Sequence, residues 1–114
     1  MAGRTVIFLS HADATALRLA GSCALAAAAM GDRVDVFLFG PAVRAAVEAH
    51  GEADHAASLL HQAKDAGTVR LLACSQSLVE EKVELAEAQA ALDAVVGWPT
   101  VLEWSRGVVE RFSF

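Results

Sequence analysis

Two thiols and four imidazoles are the side chains of this sequence best suited to chemistry, and Cys74 stands out among them by its setting. Val69 to Ala73 has the length and composition of a short β-strand, and Ser75, Gln76 and Ser77 after Cys74 are turn and cap formers. Glu80, three residues after Ser77, completes a Ser-x-x-Glu pattern that predicts a helix start, with Glu80 and Glu81 in its first turn. A thiol at a strand end and just ahead of a helix lies beside unpaired backbone N–H groups. Their partial positive charge favours the thiolate, the nucleophilic form of cysteine. The strand end is also where open α/β sheets bind ligands. Catalytic thiol chemistry in this chain therefore points to Cys74. The plain alternative is a small apolar residue filling a strand end.

The other candidates are graded by their distance from that edge. His11 follows the first apolar run, so a parallel sheet places it at the same edge as Cys74, where it could assist as proton donor or thiolate partner. A solvated turn histidine is the plainer reading. Ser10, Gly40 and Trp98 also fall at predicted strand ends, and with His11, Ser75, Gln76 and Ser77 they make up the expected binding edge. Trp98 would wall the Cys74 site, sit in a subunit contact or pack in the core. Cys23 lies mid-helix on an apolar face, about twelve residues past that edge and so roughly 18 Å away along the helix. A Cys23–Cys74 disulfide is not expected, because disulfides need close backbones. His50, His55 and His61 do not have the three- or four-residue spacing that brings ligands onto one helix face, so no metal site is read. They are expected at the surface.

These residues must be held by a small frame. The chain has 114 residues, which suits a single domain over residues 1–114, and 55% apolar content, which is enough for a core. Fourteen acidic residues against nine basic give a net charge of −5, which argues against nucleic-acid binding. The Ala-rich run Leu19 to Met30 is too short to span a membrane. Two cysteines, neither in a disulfide framework, and no leader-like start lead to the expectation of a cytoplasmic protein.

Thr5 to Ser10 is a continuous β-branched and aromatic run, as in the centre of a parallel sheet. A helix is predicted from Ala14 to Met30, with Ala16, Leu19, Ala20, Cys23, Ala24, Ala27 and Met30 on its apolar face and Gly31 ending it. Arg33 to Phe39 is the second strand. Gly40-Pro41 opens a helix that stops at Gly51, and Asp54 caps another over 55–66. Residues 78–91 read as one helix or as two with a bend near Glu84. Leu92 to Val96 is a short fourth strand, Trp98 to Arg106 a helix, and Val108 to Phe114 a fifth strand. Alternating strands and helices imply βαβ units: a three-layer α/β/α fold with a mostly parallel five-stranded sheet. No Gly-x-Gly-x-x-Gly follows the first strand, no Walker lysine loop is present, and no Cys-x-x-Cys occurs. No arginine follows Cys74 at the spacing a cysteine phosphatase or rhodanese needs to hold its anion.

What remains is Gly67-x-Val69-(x)4-Cys74, then Val95-Val96-Gly97, a short helix and a terminal strand. Before it stands Val34-x-Val36-Phe37-Leu38-Phe39-Gly40 behind an Ala-rich first helix. This pattern resembles the DsrE/DsrF-like family over nearly the whole chain. The resemblance implies a parallel five-stranded sheet between helices. It also implies assembly as a homo-oligomer, trimer or hexamer, or with a DsrE-like partner subunit. In the family's sulfur-relay members, a cysteine at the place of Cys74 carries sulfur as a persulfide between a donor and an acceptor protein. No cofactor is expected. Two functions from different classes follow: a persulfide carrier, favoured by the strand–Cys–helix setting, and a non-catalytic oligomeric binding module, favoured by the acidic Glu80-Glu81 pair.

Overall fold

The computed structural model describes residues 3–107 and 110–114. Its strands are β1 (Arg4–Leu9), β2 (Arg33–Leu38), β3 (Val69–Cys74), β4 (Ala94–Val96) and β5 (Glu110–Ser113). Its helices are α1 (Ala14–Ala29), α2 (Pro41–Glu48), α3 (Ser58–Asp65), α4 (Ser75–Glu80), α5 (Leu85–Ala91) and α6 (Trp98–Trp104). The five strands form one sheet in the order β4-β3-β2-β1-β5, and every pairing is parallel. Parallel pairing places all five strand C-termini at one edge, which is how Ser10, Gly40, Cys74 and Trp98 come to share it. Of the fifth strand expected over 108–114, Val108 and Val109 lie outside the described residues.

The near-continuous apolar strands reflect burial on both sides. One face carries Ile7, Leu9, Val34, Val36, Leu38, Val69, Leu71 and Ala73, packed under α1 to α5. The other carries Val6, Phe37, Leu72 and Val96, with Phe8, Phe39 and Ala94 at its margin, and α6 covers it through Val101 and Trp104. The outer layers are thus unequal, five helices against one short one. On the thinly covered face the aromatic rings stack in series. Phe37 and Phe8 have centroids 5.8 Å apart, Phe8 and Phe39 6.2 Å, and Phe39 and Trp98 5.2 Å.

Local chemistry sets the element ends. The Asp13 carboxylate accepts the Ala16 backbone N–H at 3.1 Å and so caps α1. Gly31, at φ +90°, turns the chain out of that helix. The buried stripe of α1 is Ala16, Leu17, Ala20, Gly21, Ala24 and Ala27. Leu19 and Met30, expected on that stripe, are exposed, whereas Leu17 and Gly21 belong to it. The small stripe lets α3 approach closely at Gly21.

Two expectations fail, and one left open is decided. Asp54 does not cap α3. Residues 52–57 form turns instead, His55 Nδ1 accepts the Ala57 N–H at 3.0 Å, and the helix begins at Ser58. Of the two readings of residues 78–91, the structure has the two-helix one, broken at 81–84, where Lys82 adopts φ +55°. The predicted Ser77–Glu80 capping box is absent. The helix begins at Ser75, so Ser77 lies within it, Glu80 is its last residue and Glu81 its C-cap. Both glutamates therefore sit at the negative end of that helix's dipole rather than in its first turn.

Candidate functional site

Cys74 is the last residue of β3 and the N-cap of α4, in extended conformation at φ −70° and ψ 125°. Extended backbone followed at once by helix makes a sharp corner at the C-terminal edge of the sheet. Cys74 pairs with Val96 of β4. The Leu38–Ala73 pairing, continued by one residue, sets Phe39 beside it on the β2 side. Strand alternation turns Cys74 toward the α6 face, in step with Leu72. The residue is 3% exposed, and both cysteines are free thiols.

The neighbouring loops are tied together. The Gly40 backbone N–H donates to Ser77 Oγ at 2.8 Å, joining the β2–α2 corner to α4. Gly40 itself sits at φ +54°, a left-handed conformation that glycine adopts without strain. Ser77 is buried. Ser77→Ala leaves the Gly40 N–H without its acceptor and is expected to cost about 1–2 kcal/mol, read as a lower urea midpoint at unchanged m-value. Ser75 and Gln76 are exposed beside Cys74. Trp98, half exposed, follows β4 and lies against Phe39. Arg44 of α2 donates to the Glu81 backbone carbonyl and fastens the far end of α4. Glu80 and Glu81 stand six and seven residues beyond Cys74, roughly 9 Å away at helical rise. The acidic pair is therefore held away from the thiol.

His11 is exposed, and its Nδ1 lies 3.3 Å from Ser10 Oγ. Ser10 is itself anchored by its N–H, which donates to the Phe114 carbonyl at 3.0 Å. Both residues belong to the β1 end. Two strand spacings of ~4.8 Å separate that end from β3, so roughly 10 Å lies between the His11 and Cys74 backbones. Ser10 and His11 thus share the edge with Cys74, while register and chain put Phe39, Ser75 and Val96 next to it, with Trp98 stacked on Phe39 and Gly40 hydrogen-bonded to Ser77. Phe39 and Val96 are the neighbours that reading the sequence missed. The signal for Phe39 was present as the Phe37-x-Phe39 spacing, which puts two rings on one face of β2.

Cys23 is half-buried in α1, and burial pushes its thiol above the ordinary cysteine value. Of the remaining histidines His50 is exposed, as expected, whereas His55 and His61 are partly buried. His61 Nε2 lies 2.7 Å from the Ala46 carbonyl and its ring is 5.7 Å from that of His50. Among the described residues no cluster of three or more His, Cys, Asp or Glu side chains could hold a metal ion. Among them, too, no helix is long and apolar enough to cross a membrane.

A five-stranded parallel sheet with a cysteine closing its third strand, and helices on both faces, defines a small open α/β protein whose candidate site lies at the strand C-termini. The chain belongs to the DsrE/DsrF-like family, whose profile matches residues 4–105. Two solved structures share its fold. The ychN protein from E. coli superposes with a TM-score of 0.72 at 18% identity, over 98% of this chain and 99% of that one. The protein of unknown function MTH1491 from Methanobacterium thermoautotrophicum superposes with a TM-score of 0.68 at 19% identity, over 96% and 98%. Among curated proteins none matches the sequence.

Proposed function

We propose that this sulfur-relay-type protein carries sulfane sulfur as a persulfide on Cys74. The observation behind this reading is the placement of Cys74 at the corner between β3 and α4, on the sheet edge where open α/β proteins bind ligands. In the loading step Cys74 Sγ attacks the outer sulfur of a donor persulfide, R–S–SH. The donor S–S bond breaks and a new one forms on Cys74. The donor leaves as R–SH, carrying the proton that Cys74 gives up, and the exchange needs no external oxidant or reductant. His11 shares this edge but stands roughly 10 Å from Cys74, so any part it takes in moving that proton runs through bridging water. Unloading to an acceptor thiol is the same exchange in reverse. Cys74 is 3% exposed and turned toward the α6 side of the sheet, so loading requires the start of α6, which carries the half-exposed Trp98, to move aside.

Burial of the thiol also favours a second reading, an oligomeric binding module without thiol chemistry. In either case we propose a homo-oligomer or a pairing with a related subunit. Trp98, Leu102 and Phe112 are large apolar side chains 40–59% exposed, the kind of surface that subunit contacts cover.

The deciding experiment is intact-mass analysis after treatment with a persulfide donor. Wild type and Cys23→Ser are expected to gain one sulfur atom that a reductant removes, and Cys74→Ser to gain none. No gain in wild type, with Cys74 alkylating only after denaturation, would establish the binding module instead.

A further inference from the structure

The opposite, N-terminal edge of the sheet concentrates positive charge in an otherwise acidic chain. A cleft of about 280 Å³ opens there between the starts of β1, β2 and β3, lined by Arg4, Arg33, Asp35, Gly67, Thr68 and Arg70. It gathers three of the chain's nine basic residues around one carboxylate. Asp35 organises two of them. Its Oδ2 accepts from Arg4 Nη2 at 2.8 Å and from Arg70 Nη2 at 3.0 Å, and its Oδ1 accepts from Arg70 Nε at 2.7 Å. The Arg70 guanidinium also lies 4.4 Å from the centre of the Trp104 ring, which fixes its plane. A guanidinium has five N–H donors. Arg4 commits one to Asp35 and Arg70 two, leaving the rest directed elsewhere. Among the described residues Arg33 has no carboxylate within ion-pair distance and is exposed.

We propose that this cleft is a binding site for a small oxyanion of the phosphate class. Three guanidiniums against the lining carboxylate of Asp35 and the nearby Asp93, whose charge also acts on Arg70, leave the cleft net positive, which suits an oxyanion. Arg4 and Arg70 are held in place by Asp35 before any ligand arrives, which lowers the entropy lost on binding. The planar forks suit the oxygen spacing of a phosphoryl group. The volume falls at the small end of ligand pockets, which span about 300–1,000 Å³, so a single phosphate or a compact phosphate monoester fits better than a nucleotide. Arg70 precedes Cys74 by four strand residues, roughly 13 Å, so the site stands apart from the thiol edge.

Isothermal titration calorimetry with inorganic phosphate, against sodium chloride of equal ionic strength, tests the assignment. Wild type is expected to bind one equivalent saturably, and Arg33→Ala to bind about tenfold more weakly, the effect of one charge-assisted contact. Arg44→Ala, which removes an arginine of α2, and Cys74→Ser should bind as wild type. Unsaturable binding in wild type, unchanged affinity in Arg33→Ala, or an equal loss in Arg44→Ala would overturn the proposal. Phenyl phosphate in the same titration separates the two sources of the ligand. Tighter binding than inorganic phosphate assigns the site to an organic phosphate lying toward Trp104, and equal or weaker binding to the free anion. Phosphate binding by a wild-type protein that gains no sulfur from the persulfide donor would keep this site and remove only the thiol function.

Discussion

Asp35→Ala is expected to lower the unfolding free energy by about 3 kcal/mol at neutral pH, the low end for breaking a buried ion pair. Asp35 sits mid-strand with its side chain 6% exposed, between Arg4 and Arg70. Removing it leaves two guanidiniums facing each other without their counter-ion. Those side chains keep 32% and 42% of their surface in water, so they rehydrate in part and the loss stays at the low end. The effect also has a pH signature. Burial raises the Asp35 pKa, but hydrogen bonds from Arg70 and Arg4, reinforced by their charges, outweigh burial and hold it below the ordinary carboxylate value. The unfolded chain therefore binds this proton more readily than the folded one. The stabilisation is fully present above the unfolded value of about 3.9 and is lost as pH falls through the folded value. Urea denaturation of wild type and Asp35→Ala should give stability curves well separated at pH 7 that draw together in acid. Curves that stay parallel down to acid would refute the ion-pair account.

The second large effect has a sign that intuition gets wrong. Gly21 lies inside α1, where alanine is favoured over glycine by about 1 kcal/mol on helix propensity alone. A β-carbon built there would stand 2.5 Å from Leu59 Cβ and 3.2 Å from both the Leu59 carbonyl carbon and the Leu60 nitrogen. Two of these three neighbours are backbone, so relief requires moving α3 rather than turning a side chain. Overpacking costs about 1–3 kcal/mol, and a 2.5 Å approach belongs at the upper end, about 3 kcal/mol, which exceeds the propensity gain by about 2 kcal/mol. Gly21→Ala is expected to be destabilised by about 2 kcal/mol, seen as a lower melting temperature. A raised melting temperature would mean that α1 and α3 are not in close contact.

The same two positions show what reading the sequence captured and what it did not. The parallel sheet was legible because Val69–Ala73 and Arg33–Phe39 are bounded by glycines and separated by helical stretches, a local pattern with few alternatives. Cys74 was placed correctly at a strand end because that depends only on neighbours in the chain. The capping box failed because Ser75 starts α4 two residues before Ser77, and the Ser77 hydroxyl is taken by Gly40, thirty-seven residues away. The break at 81–84 was left open because no glycine or proline marks it. It is made by Lys82 in a conformation that tertiary packing imposes. The Gly21 contact and the Arg4–Asp35–Arg70 cluster depend on pairings about thirty or more residues apart, which a parallel sheet creates and local spacing does not reveal. The Asp in Val34-Asp35-Val36, a charge inside an apolar strand, was the one local hint.

The lengths of the strands carry a last consequence. The three interior strands have six residues each, whereas β4 has three and β5, over its described residues, four. The sheet tapers at both borders, so it offers a passing chain only a few unpaired backbone groups on which to add a strand. Copies of this protein are thereby steered away from open-ended stacking border to border, the route to fibres and precipitates. The apolar side chains exposed above the sheet, Trp98 and Leu102, thus stand on a surface without a long unpaired border among the described residues.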